Sequence, residues 1–268
     1  MNALALLATC VGLAFCAPSH AAGLPDTGQD TCYTDSAVDT VSAGSATSVD
    51  RDSASHPRQD CRYGRDPAVN AGALSRIGGG VKGFDYSKIA NNGGNLGAAP
   101  AAALGTAPGD WACTLDNVTG LIWEVKTAGA ASAELRSMNS TYSWYSSNVA
   151  TNGGNAGTAA AAGGNCQTTN ACDTEKFVAA VNAIALCGHS DWRLPTRREL
   201  QTLLYAGVSS PAIDGTYFPN TPSSLFWSGS TYAQTPVNAW GEALSKGSTG
   251  YSGKSGAHTV RLVSGAPL

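Results

Sequence analysis

The chain has 268 residues, 32 of them glycine, with 13% charged residues and a formal net charge of −3. That charged fraction is about half the roughly 25% of an ordinary globular domain. The acidic balance excludes broad binding of nucleic acid or other polyanions by bulk electrostatics, and the lightly charged, glycine-rich composition suits a loop-rich extracellular protein better than a cytosolic enzyme.

Residues 4–17 form an apolar run too short to span a bilayer, and Ser19-His20-Ala21 puts small residues at the two positions a signal peptidase reads. The expectation is a signal peptide over 1–21, cleaved after Ala21. It implies a secreted, periplasmic or cell-surface protein with no stable membrane span after cleavage. Lipidation is disfavoured, because Phe15 before Cys16 is too large and Cys10 comes too early.

The mature chain keeps Cys32, Cys61, Cys113, Cys166, Cys172 and Cys187, and an even count in an exported chain reads as disulfides. Sequence alone does not fix the pairing. Proximity favours Cys32 with Cys61 and Cys166 with Cys172, which leaves Cys113 with Cys187 to join the halves of the main domain. No Cys-x-x-Cys and no paired histidine spacing is present, so neither zinc nor another metal is expected.

Residues 22–110 read as a loop-rich N-terminal region. Residues 40–55 lack apolar periodicity, Gly78-Gly79-Gly80 and Asn91-Asn92-Gly93-Gly94-Asn95 are turn signals, and short extended pieces are expected around 81–89. The chain changes character at Trp111, where the main domain, 111–268, is taken to begin. Residues 115–125 read as a tight turn followed by a strand, with Leu121, Trp123 and Val125 on one face. Tyr142-Ser143-Trp144-Tyr145 is an aromatic cluster beside Asn152-Gly153-Gly154-Asn155. That glycine-rich loop echoes the one at 92–95 without the steady period of a repeat protein.

A helix is expected over 173–186, with Asp173 as N-cap, Phe177, Val181, Ile184 and Ala185 on one face, and Gly188 closing it. Asp191-Trp192-Arg193-Leu194-Pro195-Thr196-Arg197-Arg198-Glu199-Leu200 then reads as a strand-to-helix junction. Pro195 stops the ladder, Thr196 and Glu199 form a capping box, and Leu200, Leu203 and Leu204 make an apolar stripe. The second helix is expected to end near Gly207. Strands are expected at 225–230, 237–244 and 259–263, with 247–250 and 252–256 as flexible connections.

In this order the motifs resemble the Lcl C-terminal domain family, named for a collagen-like bacterial adhesin. The matching pieces are Asn117-Val118-Thr119-Gly120-Leu121-Ile122-Trp123-Glu124, Cys187-Gly188-His189-Ser190-Asp191-Trp192-Arg193-Leu194-Pro195-Thr196 with Glu199-Leu200, Phe226-Trp227-Ser228-Gly229-Ser230, Ala239-Trp240-Gly241, and Val260-Arg261. Leu24-Pro25-Asp26-Thr27-Gly28-Gln29 with Cys32-Tyr33 is similar to the opening many members carry. The segment from Trp192 to Leu200 is also similar to one in the formylglycine-generating enzymes, relatives of the C-type lectin fold. The resemblance implies an α+β, C-type-lectin-like domain, with two helices packed on short, mostly antiparallel strands, loop-rich and disulfide-stabilised. The family's adhesin is associated with sulfated glycosaminoglycans and a trimer. This chain has an acidic balance and no collagen-like array, and Leu262 stands where many relatives carry a cysteine.

No catalytic residue, cofactor or metal is expected, and the chain does not read as an enzyme. There is no Gly-x-Ser-x-Gly elbow, and the adjacent His189-Ser190-Asp191 belongs to a turn rather than a triad. No cysteine follows Cys187, so the reactive C-terminal cysteines of the formylglycine-generating enzymes have no counterpart. Gly253-Lys254-Ser255 opens no helix and is no phosphate loop. Asp50, Asp52, Asp116 and Asn117 offer oxygen ligands without an EF-hand spacing and read as turn residues.

Binding chemistry fits better. Tyr142, Trp144 and Tyr145 are candidates for stacking on sugar rings or, alternatively, for filling the core, whereas Trp123, Trp192, Trp227 and Trp240, each in a strand-like context, read as structural. Arg197 and Arg198 sit in the first turn of their helix, where positive charge opposes the dipole. With Arg193, Lys246 and Lys254 they are candidate ligand-binding cations. The expected function is a non-catalytic, exported adhesion or recognition module for a glycan or surface protein. The alternative is a structural subunit of a pilus or cell-envelope assembly.

Overall fold

A computed structural model describes residues 26–29, 32–33, 38–39, 59–99, 101–160, 164–168 and 170–268. The expected signal peptide, Cys10, Cys16, His56, Asp50 and Asp52 lie outside the described residues. The fold is mixed α+β, and every strand pair among the described residues is antiparallel. A two-stranded pair, β1 (Cys32–Tyr33) with β2 (Val38–Asp39), precedes two short helices, α1 (Asp60–Tyr63) and α2 (Arg65–Asn70). A five-stranded sheet follows from β3 (Tyr86–Ala90), β4 (Asn95–Gly97), β5 (Trp111–Asp116), β6 (Ile122–Glu124) and β10 (Val263–Ser264), in the order β10-β6-β5-β3-β4. A second sheet has the order β7-β8-β9, from β7 (Leu225–Thr231), β8 (Asn238–Ala243) and β9 (Ser248–Gly253). The helices of the main domain are α3 (Thr174–Ala183) and α4 (Arg197–Gln201).

The compositional break at 110/111 therefore runs through one sheet rather than between two units. β3 lies between β4 and β5, in register from Tyr86 opposite Asp116 to Ala90 opposite Trp111. The β5–β6 hairpin is set by local chemistry. The Asp116 carboxylate accepts from the amides of Val118 and Thr119 and from the Thr119 hydroxyl, and Gly120 takes φ +76°. Leu121, Trp123 and Val125 are all buried, as their shared face requires.

α3 begins where expected, with the Asp173 carboxylate accepting from the Lys176 amide. It ends sooner than expected, because Ala185 is left-handed and the chain enters a 3-10 turn over Leu186–Gly188. Ile184 is consequently 56% exposed rather than on the packed face. The capping box of α4 is present. That helix, too, is shorter than the stripe suggested: the Tyr205 amide donates to Ala212 and the Ala206 amide to Thr27, so the turns before Gly207 are not helical. Much of 247–250 and 252–256, expected as flexible connections, belongs to strand β9 (Ser248–Gly253), paired along all six residues with β8. Residues 259–263 are not a continuous strand. Thr259 bridges Phe226, and only Val263 and Ser264 join a ladder.

Three disulfides join Cys32–Cys61 and Cys166–Cys172, the pairs that proximity favours, and Cys113–Cys187, the pair they leave over. Cys113–Cys187 links β5 to the 3-10 turn inside a core built on Trp144, Phe177, Trp192 and Trp227. A second core gathers Tyr86, Trp123, Leu200, Phe218 and Phe226. Each such aromatic or aliphatic side chain contributes about 1.5–3 kcal/mol of burial free energy.

Charge is buried as well. Glu124 and Lys126 pair at 2.8 Å with no side-chain exposure. Arg261 Nη1 donates to the Glu124 carbonyl and Nη2 to Thr221 Oγ1, while the Leu262 amide donates to the Glu124 carboxylate. Burial pushes the Arg261 guanidinium down to about 10, so it stays cationic at neutral pH. The motif ending in Glu124 and the motif ending in Arg261 are thus two halves of one buried contact.

Candidate functional site

The Trp192–Leu200 motif is a mechanical unit. Asn182 brackets Trp192 with two hydrogen bonds, its amide donating to the Trp192 carbonyl and its carbonyl accepting from the Trp192 amide. The Trp192 indole donates to Leu186 O at 3.0 Å. Arg193 grips Glu199 through both Nη atoms, at 2.8 and 2.7 Å, and Glu199 also accepts from the Thr196 and Leu268 amides. Burial alone pushes the Glu199 carboxyl up. The Arg193 and Thr196 hydrogen bonds outweigh it and hold the group below the usual carboxylate range. Arg193 is therefore spent on fixing the start of α4 rather than left free for a ligand.

Three more candidates move for related reasons. Tyr142 and Trp144 are 2% and 1% exposed, so neither is a sugar platform. Tyr142 stacks on Phe177 at 4.6 Å, and the Trp144 indole donates to Ser228 O at 2.8 Å. Lys254 is 2% exposed, its ammonium 3.9 Å over the Trp144 ring. It donates to Asn152 O, Asn155 O and Thr231 Oγ1, pinning the Asn152-Gly153-Gly154-Asn155 loop from inside. The stretch around it is a clamp, not a flexible connection.

The remaining candidates gather around the start of α4. Tyr145 is half-buried and lines a cleft of about 520 Å³, with Ser146, Asn148, Glu175, Arg193 and Thr196. Thr196 and Ser230 pass into a neighbouring cleft of about 300 Å³, which adds Arg197, Arg198, Thr231 and Trp240. Arg198 and Leu268 then pass into a third, of about 630 Å³, where Lys246 lies. The face is a run of three adjoining clefts with Arg197 and Arg198 at its middle.

On this face stands an aromatic cluster that residue-by-residue reading missed. Tyr232 and Tyr251 stack with centroids 4.5 Å apart and an interplanar angle of 11°. Trp240 meets Tyr232 edge-on at 4.8 Å and Tyr251 at 5.9 Å. The Arg197 guanidinium lies 4.7 Å over the Trp240 ring. Tyr251 is 55% exposed. Trp240 is in strand context, as expected, but points away from the core. Its neighbours Ala239 and Gly241 hold the inner face, where a Cβ on Gly241 would stand 2.5 Å from Phe226 O. Two small residues flanking a tryptophan in a strand were the available signal.

Two residues along the same face of the sheet, the Thr249 hydroxyl donates to the buried Glu242 carboxylate at 3.0 Å and accepts from Gln201 Nε2 at 2.7 Å. Burial raises the Glu242 carboxyl above its ordinary value, partly offset by Thr249 and the Arg197 charge. Strand β9 is thereby tied to α4, and the ring positions are fixed from both sides. Among the described residues no group of three or more His, Cys, Asp or Glu side chains is placed to hold a metal ion.

No curated protein and no solved structure matches the chain. The model of the Lcl C-terminal domain matches residues 112–264, more than half of its length. That span runs from the strand carrying Cys113, through the Arg193–Glu199 unit, to the strand that closes the sheet beside Glu124. This chain belongs to the Lcl C-terminal domain family.

Proposed function

We propose that the protein is an exported, non-catalytic recognition module, on a C-type-lectin-like scaffold, that takes a glycan at the Tyr232, Trp240 and Tyr251 cluster. The observation that carries the reading is a stacked, partly exposed aromatic surface with a guanidinium at its edge. Sugar rings offer apolar C–H faces that pack on aromatic faces, while their hydroxyls seek polar partners at the rim. Ser230, Thr231 and Thr196 supply such partners in the adjoining cleft. The three disulfides support an oxidising compartment. Among the described residues no helix is long and apolar enough to cross a membrane.

The test is a glycan array followed by calorimetry on the best neutral and sulfated hits. Tyr251→Ala, at an exposed position, should weaken binding at least about tenfold with an unchanged melting temperature. Binding that survives both Tyr251→Ala and Trp240→Ala would refute this site. No binding to any sugar, with the protein folded, would refute the function.

A further inference from the structure

The cleft of about 630 Å³ has a different chemistry from the aromatic cluster, and we propose that it binds a small amphipathic carboxylate, an apolar chain with one anionic head. Its volume falls within the roughly 300–1,000 Å³ of ordinary ligand sites. Leu204, Tyr205, Val208 and Ala212 supply an apolar wall, and Val208 is 41% exposed despite its hydrophobicity. The wall is held rigidly. Tyr205 and Ala212 share a backbone hydrogen bond, Ala212 donates to Leu244, and Gly28 packs so closely on the Tyr205 ring that a Cβ there would stand 2.3 Å from it.

Two cations reach the same cleft from separate elements, Arg198 from the first turn of α4 and Lys246 from the turn between β8 and β9. Both residues are exposed, and no carboxylate among the described residues pairs with either. Asp26, the acid that lines the cleft, turns its carboxylate to the Gly28 and Arg65 amides, each at 2.8 Å. An apolar wall with two unneutralised cations selects a ligand whose body leaves water and whose head is negative. A neutral sugar lacks the negative head, and a polyanion lacks the apolar body.

The experiment compares decanoate with decanol by titration calorimetry on the mature protein. The chain length is the same, and only the head differs. Decanoate should bind more tightly, and its affinity should fall with added salt while that of decanol does not. Arg198→Gln/Lys246→Gln should weaken decanoate about tenfold and leave decanol within about twofold. Val208→Asp, which charges an exposed wall position, should abolish binding of both with the fold intact by circular dichroism. Equal affinities for acid and alcohol, no binding of decanoate, or full binding by the Val208→Asp variant would each overturn the proposal. Of these positions only Arg198 also lines the cleft beside Trp240, so Lys246→Gln and Val208→Asp are the variants on which glycan binding is tested separately.

Discussion

Replacing Arg193 by Leu isolates what the Trp192–Leu200 motif contributes. The substitution removes two charge-assisted hydrogen bonds, at 2.8 and 2.7 Å, from a carboxylate whose side chain has no exposure. Breaking a buried pair by removing one partner costs about 3–5 kcal/mol. Arg193 itself keeps 25% exposure and Glu199 retains the Thr196 and Leu268 amides, so the lower end, about 3 kcal/mol, applies. For a domain of this size that is a fall of about 6–12 °C in melting temperature.

The pH dependence carries a sign. In the wild type the Glu199 carboxyl is held below its ordinary value, so its contribution is present above that value and is lost as pH falls through the folded one. Without Arg193, burial dominates and the carboxyl rises. The variant's deficit should be largest near pH 7 and should shrink on acidification as Glu199 takes up a proton. Melts of wild type, Arg193→Leu, Glu199→Gln and the double variant at pH 7 and about 4 make the measurement. Additive single effects, or a deficit independent of pH, would refute the assignment of Arg193 to the fold.

Two further outcomes follow from the buried charges. Lys254→Met should speed amide exchange across residues 152–157 at least about tenfold, since a hydrogen bond to a charged group contributes about 1.5–3 kcal/mol and three are lost. Unchanged exchange there would mean the loop holds itself. Burial, with the Asp60 charge, pushes the Asp26 carboxyl up to about 6. Its raised value favours the protonated folded state, so this group stabilises the fold as pH falls from 7 through 6. That gain should vanish in Asp26→Asn, read as the difference in melting temperature between pH 7 and 5.

What was legible in the sequence was what is decided locally. Thr196 caps the amide of a residue three positions away, and Asp116 satisfies amides two and three positions on, so both turns can be read from spacing. The fate of Trp144, Trp240 and Lys254 depends on distant chain. Trp144 is covered by Ser228, 84 residues away, and Lys254 finds its acceptors 102 and 99 residues earlier. An aromatic cluster at 142–145 and one assembled from Tyr232, Trp240 and Tyr251 therefore look alike or unlike in sequence for reasons unrelated to exposure. Strand β9 was hidden by its own composition. Ser248, Thr249, Gly250 and Ser252 read as linker, and pairing with β8 makes them strand.

The place of β3 separates what is recognisable from what can stand alone. A fragment cut to the matched span would keep β5 but strip it of its partner on one side, leaving a full row of backbone donors and acceptors bare in the middle of what had been a sheet. Such a row recruits any available strand, usually from another copy. The stretch ahead of the match supplies the strand that occupies this row, and excising it should leave an edge open to pairing with other copies.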